Sequence, residues 1–201
     1  MSDSSSASGS RRGVSESFEA LNHFEVAESR RPYEGVLSTV RVDTLRAHDG
    51  AEFQREVVEH IDAVAVVPVT VDGEVVLVRH YRHPFRRVML EIPAGVCDVH
   101  GEEAASTARR ELAEEVALEG EQLTLLTTFH NSAGWTDEQT SIFLGCPVRP
   151  VDRPDGFVLT DEEASMEVVR MPLEEAVAAI HRGELTDAKT IIGLLLAVDR
   201  L

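Results

Sequence analysis

The segment that decides the fold runs from residue 95 to residue 118 and reads GVCDVHGEEAASTARRELAEEVAL. Its apolar residues recur at the spacing of an amphipathic helix, namely Ala104, Ala105, Ala108, Leu112 and Val116. Glu111, Glu114 and Glu115 share one turn of that helix, where each pair of like charges costs about 0.2–0.5 kcal/mol. Taken alone, this cluster is typical of a solvated acidic face, and the alternative is a face that a cation compensates.

The composition is that of one globular domain, with 201 residues, 43% of them hydrophobic and 27% charged. The 36 acidic residues outnumber the 19 basic ones and give a net charge of −17. Because no basic block offsets this charge, the composition argues against general affinity for nucleic acid or for an anionic membrane. An anionic substrate would need local help from arginines or metal ions.

The cysteine content and the apolar segments indicate a cytoplasmic protein. Cys97 and Cys146 fit neither a CxxC metal site nor a disulfide framework, so we interpret them as free thiols. The apolar run IIGLLLAV, residues 191–198, is too short to span a bilayer, and the N-terminus lacks the apolar core of a signal peptide.

The chain divides into a tail and two folded parts. Residues 1–17 are rich in serine and glycine, which predicts a disordered tail. Residues 18–60 predict a small antiparallel sheet with a tight turn at Asp49-Gly50, and Asp72-Gly73 predicts a second hairpin at the start of the main domain, residues 61–201. Further strands are predicted at 122–130, 140–148 and 166–173, and helices at 173–183 and 188–200.

The quoted segment resembles the signature of the Nudix hydrolases: Gly, five residues, Glu, seven residues, then Arg-Glu-apolar-x-Glu-Glu-x-Gly-apolar. The matching residues are Glu102, Arg110, Glu111, Leu112, Glu114, Glu115 and Leu118. Six residues instead of five separate Gly95 from Glu102, which indicates an insertion in the loop before the helix. Ala117 replaces the last glycine, which weakens the expectation of a positive-φ turn there.

The resemblance implies an α/β/α sandwich around a mixed β-sheet, with the small N-terminal sheet packing across a homodimer. It also implies a Mg²⁺ site, with Mn²⁺ as the alternative, because hard cations select oxygen ligands and contact substrate phosphates. The implied metal ligands are Glu111, Glu114, Glu115 and the carbonyl of Ala94, and Glu114 and Glu115 are also implied to be catalytic. Gly95 has an implied structural role beside Ala94. Arg110 would pair with Glu102 and orient the loop, while Glu119 is interpreted as a surface residue.

Two further stretches resemble the branch that hydrolyses ADP-ribose and related nucleotide sugars. In VRHYRHP and LEIPAG, Arg79 and Arg82 are candidates to bind a diphosphate, and Glu91 to contact the metal site or the adenine side. In FHNSAGWTDEQTSIF, Ala133 replaces the proline usual in that branch.

Four residues in the loops of this branch remain open between a functional and a structural role. Trp135 would stack on a base or cap the core, and Glu138 would lie near substrate or on the surface. The catalytic base would come from Glu162 or Glu163, with Glu162 preferred, unless that segment is simply a charged mobile loop.

The predicted function is Mg²⁺-dependent hydrolysis of the diphosphate bond of a small nucleoside diphosphate derivative, with ADP-ribose giving AMP and ribose 5-phosphate. Other nucleotide derivatives, namely GDP-mannose, NADH, dinucleoside polyphosphates and flavin adenine dinucleotide, remain alternatives because pocket shape discriminates among them. A nucleotide-sugar sensor that does not cleave its ligand and an acidic structural protein with an accidental motif are the other hypotheses. No nucleic acid or membrane partner is expected.

Overall fold

The structure is a computed structural model that describes residues 24–159 and 162–201. The tail predicted at residues 1–17 therefore lies outside the described residues. Within the described ranges, no helix combines the length and the apolar character that crossing a bilayer requires.

A small antiparallel sheet forms the N-terminal part of the described chain. Its three strands lie in the order of the sequence, β1 at Glu25–Glu34, β2 at Ser38–Arg46 and β3 at Glu52–His60. Gly50 adopts a φ of 84° in the turn between β2 and β3, a conformation that glycine reaches without steric cost. The predicted small N-terminal sheet is confirmed.

The main sheet contains one parallel pair of strands and is otherwise antiparallel. Its central path has the order β11-β5-β4-β10-β8, with β6 beside β5, β7 beside β4 and β9 beside β10. Strands β4 and β10 are the parallel pair, so the predicted mixed sheet is confirmed. The strand bounds are β4 Ala63–Thr70, β5 Glu74–Arg82, β6 Arg87–Glu91, β7 Ala94–Val96, β8 Leu118–Gly120, β9 Leu123–His130, β10 Gln139–Pro150 and β11 Glu167–Pro172.

Three helices cover the two faces of this sheet, α1 at Ala104–Val116, α2 at Leu173–His181 and α3 at Ala188–Val198. Side chains of β4 alternate between the faces, as the period of a strand requires. Val64 and Val66 pack in one apolar cluster with Leu112 of α1, whereas Ala65 and Val67 belong to the cluster that includes residues of α2 and α3. The α/β/α sandwich predicted from the resemblance is confirmed.

Helix α1 ends in a left-handed turn although no glycine is present. Ala117 has a φ of 53°, and its N–H donates to the carbonyl of Ala113 at 3.1 Å. The side chain of Arg153 donates to the carbonyls of Glu114 at 2.9 Å and Glu115 at 3.0 Å. The end of the helix is therefore held by hydrogen bonds from a later loop, which help to keep alanine in a conformation that favours glycine.

Replacing Ala117 with glycine is expected to stabilise the protein by about 1 kcal/mol, because L-residues with a side chain pay roughly 1–2 kcal/mol in the left-handed region. Urea unfolding followed by circular dichroism measures the change. Ala113→Gly, inside the same helix, is the matched control and should destabilise by about 1 kcal/mol. Equal effects of the two substitutions would contradict the assignment of strain to Ala117.

Candidate active site

The acidic face of α1 lies against the short strand β7. Glu115 is buried, with 5% of the residue exposed, and it accepts a hydrogen bond of 3.0 Å from the backbone N–H of Ala94. The side chain of Glu111 occupies the space above Gly95, because a Cβ at that position would lie 2.1 Å from the Glu111 Cδ. Gly95 therefore permits the contact between the strand and the carboxylates.

The two carboxyl groups against β7 are poorly compensated. Burial raises the pKa of Glu115 to about 8, and the charges of Glu111 and Glu163 add to the effect of burial. Burial also raises the pKa of Glu111 to about 7, although the neighbouring Arg110 guanidinium opposes the shift. A protein keeps such groups at a cost in stability, and this is the electrostatic setting of a functional site.

Arg110 connects the helix to the loop before it. Its Nη1 donates to Glu111 at 2.7 Å and to Glu114 at 3.2 Å. Its Nη2 donates to Glu102 at 3.3 Å and to Asp98 at 3.2 Å. The pairing of Arg110 with Glu102 agrees with the orienting role that the resemblance implied, whereas Asp98 was not among the predicted residues.

The residue inserted between Gly95 and Glu102 is accommodated in a tight turn. The N–H of Glu102 donates to the carbonyl of Val99 at 3.1 Å, and Gly101 adopts a φ of 81° inside that turn. Because the turn absorbs the extra length, Glu102 still reaches Arg110. The insertion leaves the ion-pair network intact.

The side chains on this face fit a divalent cation by their chemistry. They offer carboxylate oxygens from Glu111, Glu114 and Glu115 beside the backbone of Ala94, and hard cations prefer such ligands. In the described residues, however, no three acidic, histidine or cysteine side chains already surround one point closely enough to hold an ion. An ion would therefore have to draw Glu111 and Glu114 away from Arg110.

Stability of the protein without metal is expected to fall as the pH rises from about 5 to about 8. The folded pKa values of Glu111 and Glu115, about 7 and about 8, lie above the ordinary value of 4.5. The folded state therefore binds more protons than the unfolded state across this window, and stability decreases with pH. A divalent cation should oppose the decrease by binding the ionised carboxylates.

Thermal unfolding at pH 5.5, 7.0 and 8.5, in EDTA and in excess divalent cation, measures this linkage. We expect the difference in Tm between the two conditions to grow with pH by several degrees, at about 2–4 °C per kcal/mol for a chain of this size. In Glu115→Gln the growth should be smaller. A Tm difference that is independent of pH in the wild type would contradict the buried-carboxylate interpretation.

A cavity of about 380 Å³ opens beside the Ala94–Gly95 backbone. Its wall includes Arg82 and Glu138, two of the residues predicted to contact substrate. Other wall residues were not predicted, among them His60, Phe129, Asn131 and Lys189. The acidic face and a cavity large enough for part of a nucleotide thus share the strand β7.

Glu91 is held by two cations rather than facing the cavity. Arg82 donates to both of its oxygens, from Nε at 2.9 Å and from Nη2 at 2.7 Å, and Lys189 Nζ donates to Oε2. Burial alone would raise the pKa of Glu91, but Arg82 and Lys189 outweigh burial and lower it to about 2. Glu91 therefore orients both cations in this structure, and its contact with the metal site or the adenine side stays a prediction.

Arg79 and Trp135 are not brought to the cavity. Arg79 is three residues from Arg82 on β5 and so points to the opposite face of the sheet, where it lies 3.8 Å from Glu167. Trp135 is 58% exposed, which is too much for a side chain that caps the core. Its backbone carbonyl accepts from Val58 of β3 at 2.7 Å, so the loop contacts the N-terminal sheet while the indole faces solvent.

The charges of the two candidate bases act on different groups. Glu163, half-buried at the start of a short 3-10 turn, acts electrostatically on Glu115. Glu162 is exposed and acts on His80, whose pKa is lowered chiefly by burial. Both residues stay predictions for the base, and the influence of Glu163 on Glu115 is the reason that we prefer Glu163 to Glu162, the reverse of the preference drawn from the sequence.

Comparison with known proteins places the chain in a family. The model of the NUDIX domain matches residues 59–192. The chain belongs to the Nudix family. The resemblance drawn from residues 95–118, and with it the prediction of a Nudix hydrolase, is confirmed, and hydrolases of this kind depend on divalent metal ions.

Several Nudix relatives resemble this chain over most of its length. The ADP-ribose pyrophosphatase of Mycobacterium tuberculosis is 36% identical over 88% of this chain and 84% of the relative. That of Bacillus subtilis is 35% identical over 79% of this chain and 83% of the relative. The methanol dehydrogenase activator of Bacillus methanolicus is 32% identical over 81% of this chain and 85% of the relative.

A solved structure described as an ADP compounds hydrolase has the same Nudix fold. It superposes with a TM-score of 0.77 at 23% identity and covers 92% of this chain and 97% of its own. At this identity the likeness establishes the fold alone.

Gly95→Ala is expected to lower kcat/KM of this Nudix protein about 10²-fold, because a displacement of about 1 Å in a catalytic group can cost that much. The new Cβ would lie 2.1 Å from the Glu111 Cδ and must displace that carboxylate. Gly134→Ala is the control, since no atom lies within 4 Å of its Cβ position. Similar kcat/KM values of the two variants would show that activity does not depend on the present position of the Glu111 carboxylate.

Proposed function

We propose that the protein hydrolyses ADP-ribose to AMP and ribose 5-phosphate with Mg²⁺ as the metal. One observation carries the proposal: the buried carboxylates of α1 and the cavity that Arg82 lines both contact the backbone at Ala94–Gly95. The names of the relatives from M. tuberculosis and B. subtilis support the choice of substrate.

The metal site would consist of Glu111, Glu114, Glu115 and the carbonyl of Ala94. When bound, divalent ions would neutralise charge on the diphosphate and lower the pKa of a water molecule. Arg82 would bind a diphosphate oxygen with its remaining guanidinium nitrogen, since Nε and Nη2 already bond Glu91. Glu102 and Arg110 would hold the loop that presents Ala94.

Glu163 would take the proton of the attacking water. The oxygen of this water forms a bond to one phosphorus atom, the bond from that phosphorus to the bridging oxygen breaks, and the second phosphate leaves with the bridging oxygen. The charge of Glu163 acts on the buried Glu115 carboxyl and helps to raise its pKa, which supports this role.

The test is an assay of purified protein with ADP-ribose and Mg²⁺, with products separated by ion-exchange chromatography. AMP and ribose 5-phosphate in equal amounts are expected, and EDTA should abolish their release. GDP-mannose, NADH, diadenosine polyphosphate and flavin adenine dinucleotide form the comparison panel. A kcat/KM higher for any of these than for ADP-ribose would replace the proposed substrate, and no turnover of any would refute the hydrolase.

The remaining proposals concern assembly and location. The N-terminal sheet, within the proposed subdomain 18–60, would pack against a second copy of the chain. Exposed apolar side chains on and beside β1, Phe24, Val26 and Tyr33, support this homodimer, and sedimentation velocity tests it. Two free cysteines are compatible with the reducing cytoplasm that we propose as the location.

A further inference from the structure

The chain contains a single lysine. Lysine and arginine together number 19, and Lys189 is the only lysine among all 201 residues. Its side chain is 15% exposed and lines the cavity beside the metal-binding face. Arginine and lysine are not interchangeable, because an ammonium is a compact point charge whereas a guanidinium is a planar fork. Lys189 is therefore the only side chain in the sequence that offers a compact ammonium.

Lys189 bridges two elements that meet at the cavity. Its Nζ donates to Asp187 Oδ1 at 2.9 Å and to Glu91 Oε2. Asp187 caps the N-terminus of α3, where its other oxygen accepts from the N–H of Thr190 at 2.9 Å. The hydroxyl of Thr190 in turn accepts from the N–H of Ile92, next to Glu91, at 2.9 Å. The ammonium is thus fixed between α3 and the end of β6.

Glu91 in turn fixes the orientation of the Arg82 side chain. The Glu91 side chain is 1% exposed and accepts from Nε and Nη2 of Arg82, so the plane of the guanidinium follows the plane of the carboxylate. No side chain in the described ranges accepts from Nη1 of Arg82. This nitrogen remains available to an oxygen atom of a ligand in the cavity.

We propose that Lys189 is a positioning residue, which holds Glu91 so that Arg82 presents a fixed guanidinium to the diphosphate of the substrate. The inference rests on the proposed function. Without the Lys189 ammonium, Glu91 retains Arg82 as a partner but can rotate with it, and the arginine loses its orientation. Binding of the diphosphate then weakens although Lys189 itself does not contact the substrate.

A double-mutant cycle tests these contacts, because the effects of substituting two residues that act through one another are not additive. The four proteins are the wild type, Lys189→Gln, Arg82→Lys and the double variant, in which Glu91 keeps one cationic neighbour. Calorimetry in EDTA gives the Kd of ADP-ribose without turnover and the Kd of inorganic pyrophosphate as a minimal diphosphate. Steady-state assays with Mg²⁺ add KM and kcat. Arg182→Gln, which removes a paired cation at 46% side-chain exposure, is the control.

We expect Lys189→Gln to raise both Kd values and KM about tenfold in the wild-type background, with a smaller change in kcat. In the Arg82→Lys background the same substitution should change them less than twofold. An equal loss in both backgrounds would overturn the proposal, because it would mean that Lys189 acts on the substrate independently of Arg82. Unchanged Kd and KM with a lowered Tm would also overturn it and leave only a structural role.

Two further outcomes are distinguished from failure of this proposal: a variant that does not fold, and failure of the proposed function. If Lys189→Gln does not fold, Lys189→Arg replaces it, since it keeps the charge but not the compact ammonium, and the same nonadditive pattern is expected. If the wild type binds pyrophosphate but neither binds nor cleaves ADP-ribose, the proposed function fails. The cycle measured with pyrophosphate still decides the role of Lys189.

Discussion

Glu115→Gln is expected to lower kcat for ADP-ribose about 10³-fold, and to leave Tm in EDTA unchanged or raised. The loss follows from removal of a charge that stabilises the bound ion and the transition state. The fold should persist because burial already raises the pKa of Glu115 to about 8, so the neutral amide resembles the form favoured without metal. The amide oxygen can also accept the hydrogen bond from Ala94 N–H.

Glu119→Gln is the matched control for this substitution. Glu119 lies just beyond α1, with 43% of its side chain exposed, and pairs with Arg149 at 2.9 Å. Its loss should leave kcat within about twofold, since exposed ion pairs contribute little. Activity of Glu115→Gln close to that of Glu119→Gln would remove Glu115 from the mechanism. Combined loss of activity and of folding would contradict the account of its pKa.

Glu163→Gln is expected to reduce kcat on the order of 10²- to 10⁴-fold, the usual contribution of a general base. The basis of this expectation is the electrostatic effect of Glu163 on Glu115, which helps to raise the pKa of Glu115. The acid limb of the profile of kcat against pH should disappear with the carboxylate, while the KM for ADP-ribose should change little. Stopped assays between pH 5 and pH 9 measure both.

The neighbouring variant Glu162→Gln separates the two candidates on the same loop. Glu162 is exposed and precedes the 3-10 turn Glu163–Ser165, so its loss should cost less than tenfold. A larger loss in Glu162→Gln than in Glu163→Gln would restore the preference that the sequence suggested. Small losses in both would mean that the base lies elsewhere.

Long elements of the fold could be predicted from the sequence because their patterns are local. Alternation and the Asp-Gly pairs predicted the hairpins, and the helical spacing predicted α1. The strands β6, β7 and β8 contain five, three and three residues. Such short segments carry no period of their own, and pairing with β5, β4 and β10 decides their conformation.

The acidic face of the site could be predicted for a similar reason, since its glutamates lie on one helix. The cavity wall could not, because it combines segments that lie far apart in the sequence, from Leu37 to Lys189. Lys189 was not predicted, although one signal in the sequence could have identified it, because it is the only lysine in the chain. The alternation of side chains along a strand also predicts that Arg79 and Arg82 point to opposite faces of the sheet, because they are three residues apart on one strand.

The side-chain directions of Glu138 and Trp135 could not be predicted from the sequence for a different reason. Both lie in one short loop, yet Glu138 lines the cavity while the Trp135 side chain is 58% exposed. The direction of each side chain is set by how the loop bonds to β3, through Val58 and the Trp135 carbonyl. Neither composition nor spacing within the loop encodes that contact.

The link from Lys189 to Glu91 also bears on how the protein is made. During synthesis from the N-terminus, the ribosome adds the helix that bears Lys189 after every other element of the cavity and of the acidic face of α1. Until then the Glu91 carboxylate has Arg82 as its cationic partner but lacks the second. Because Leu194 and Ala197 of α3 also belong to the buried cluster on one face of the main sheet, we expect the core and the cavity to be completed together, after translation has passed α3.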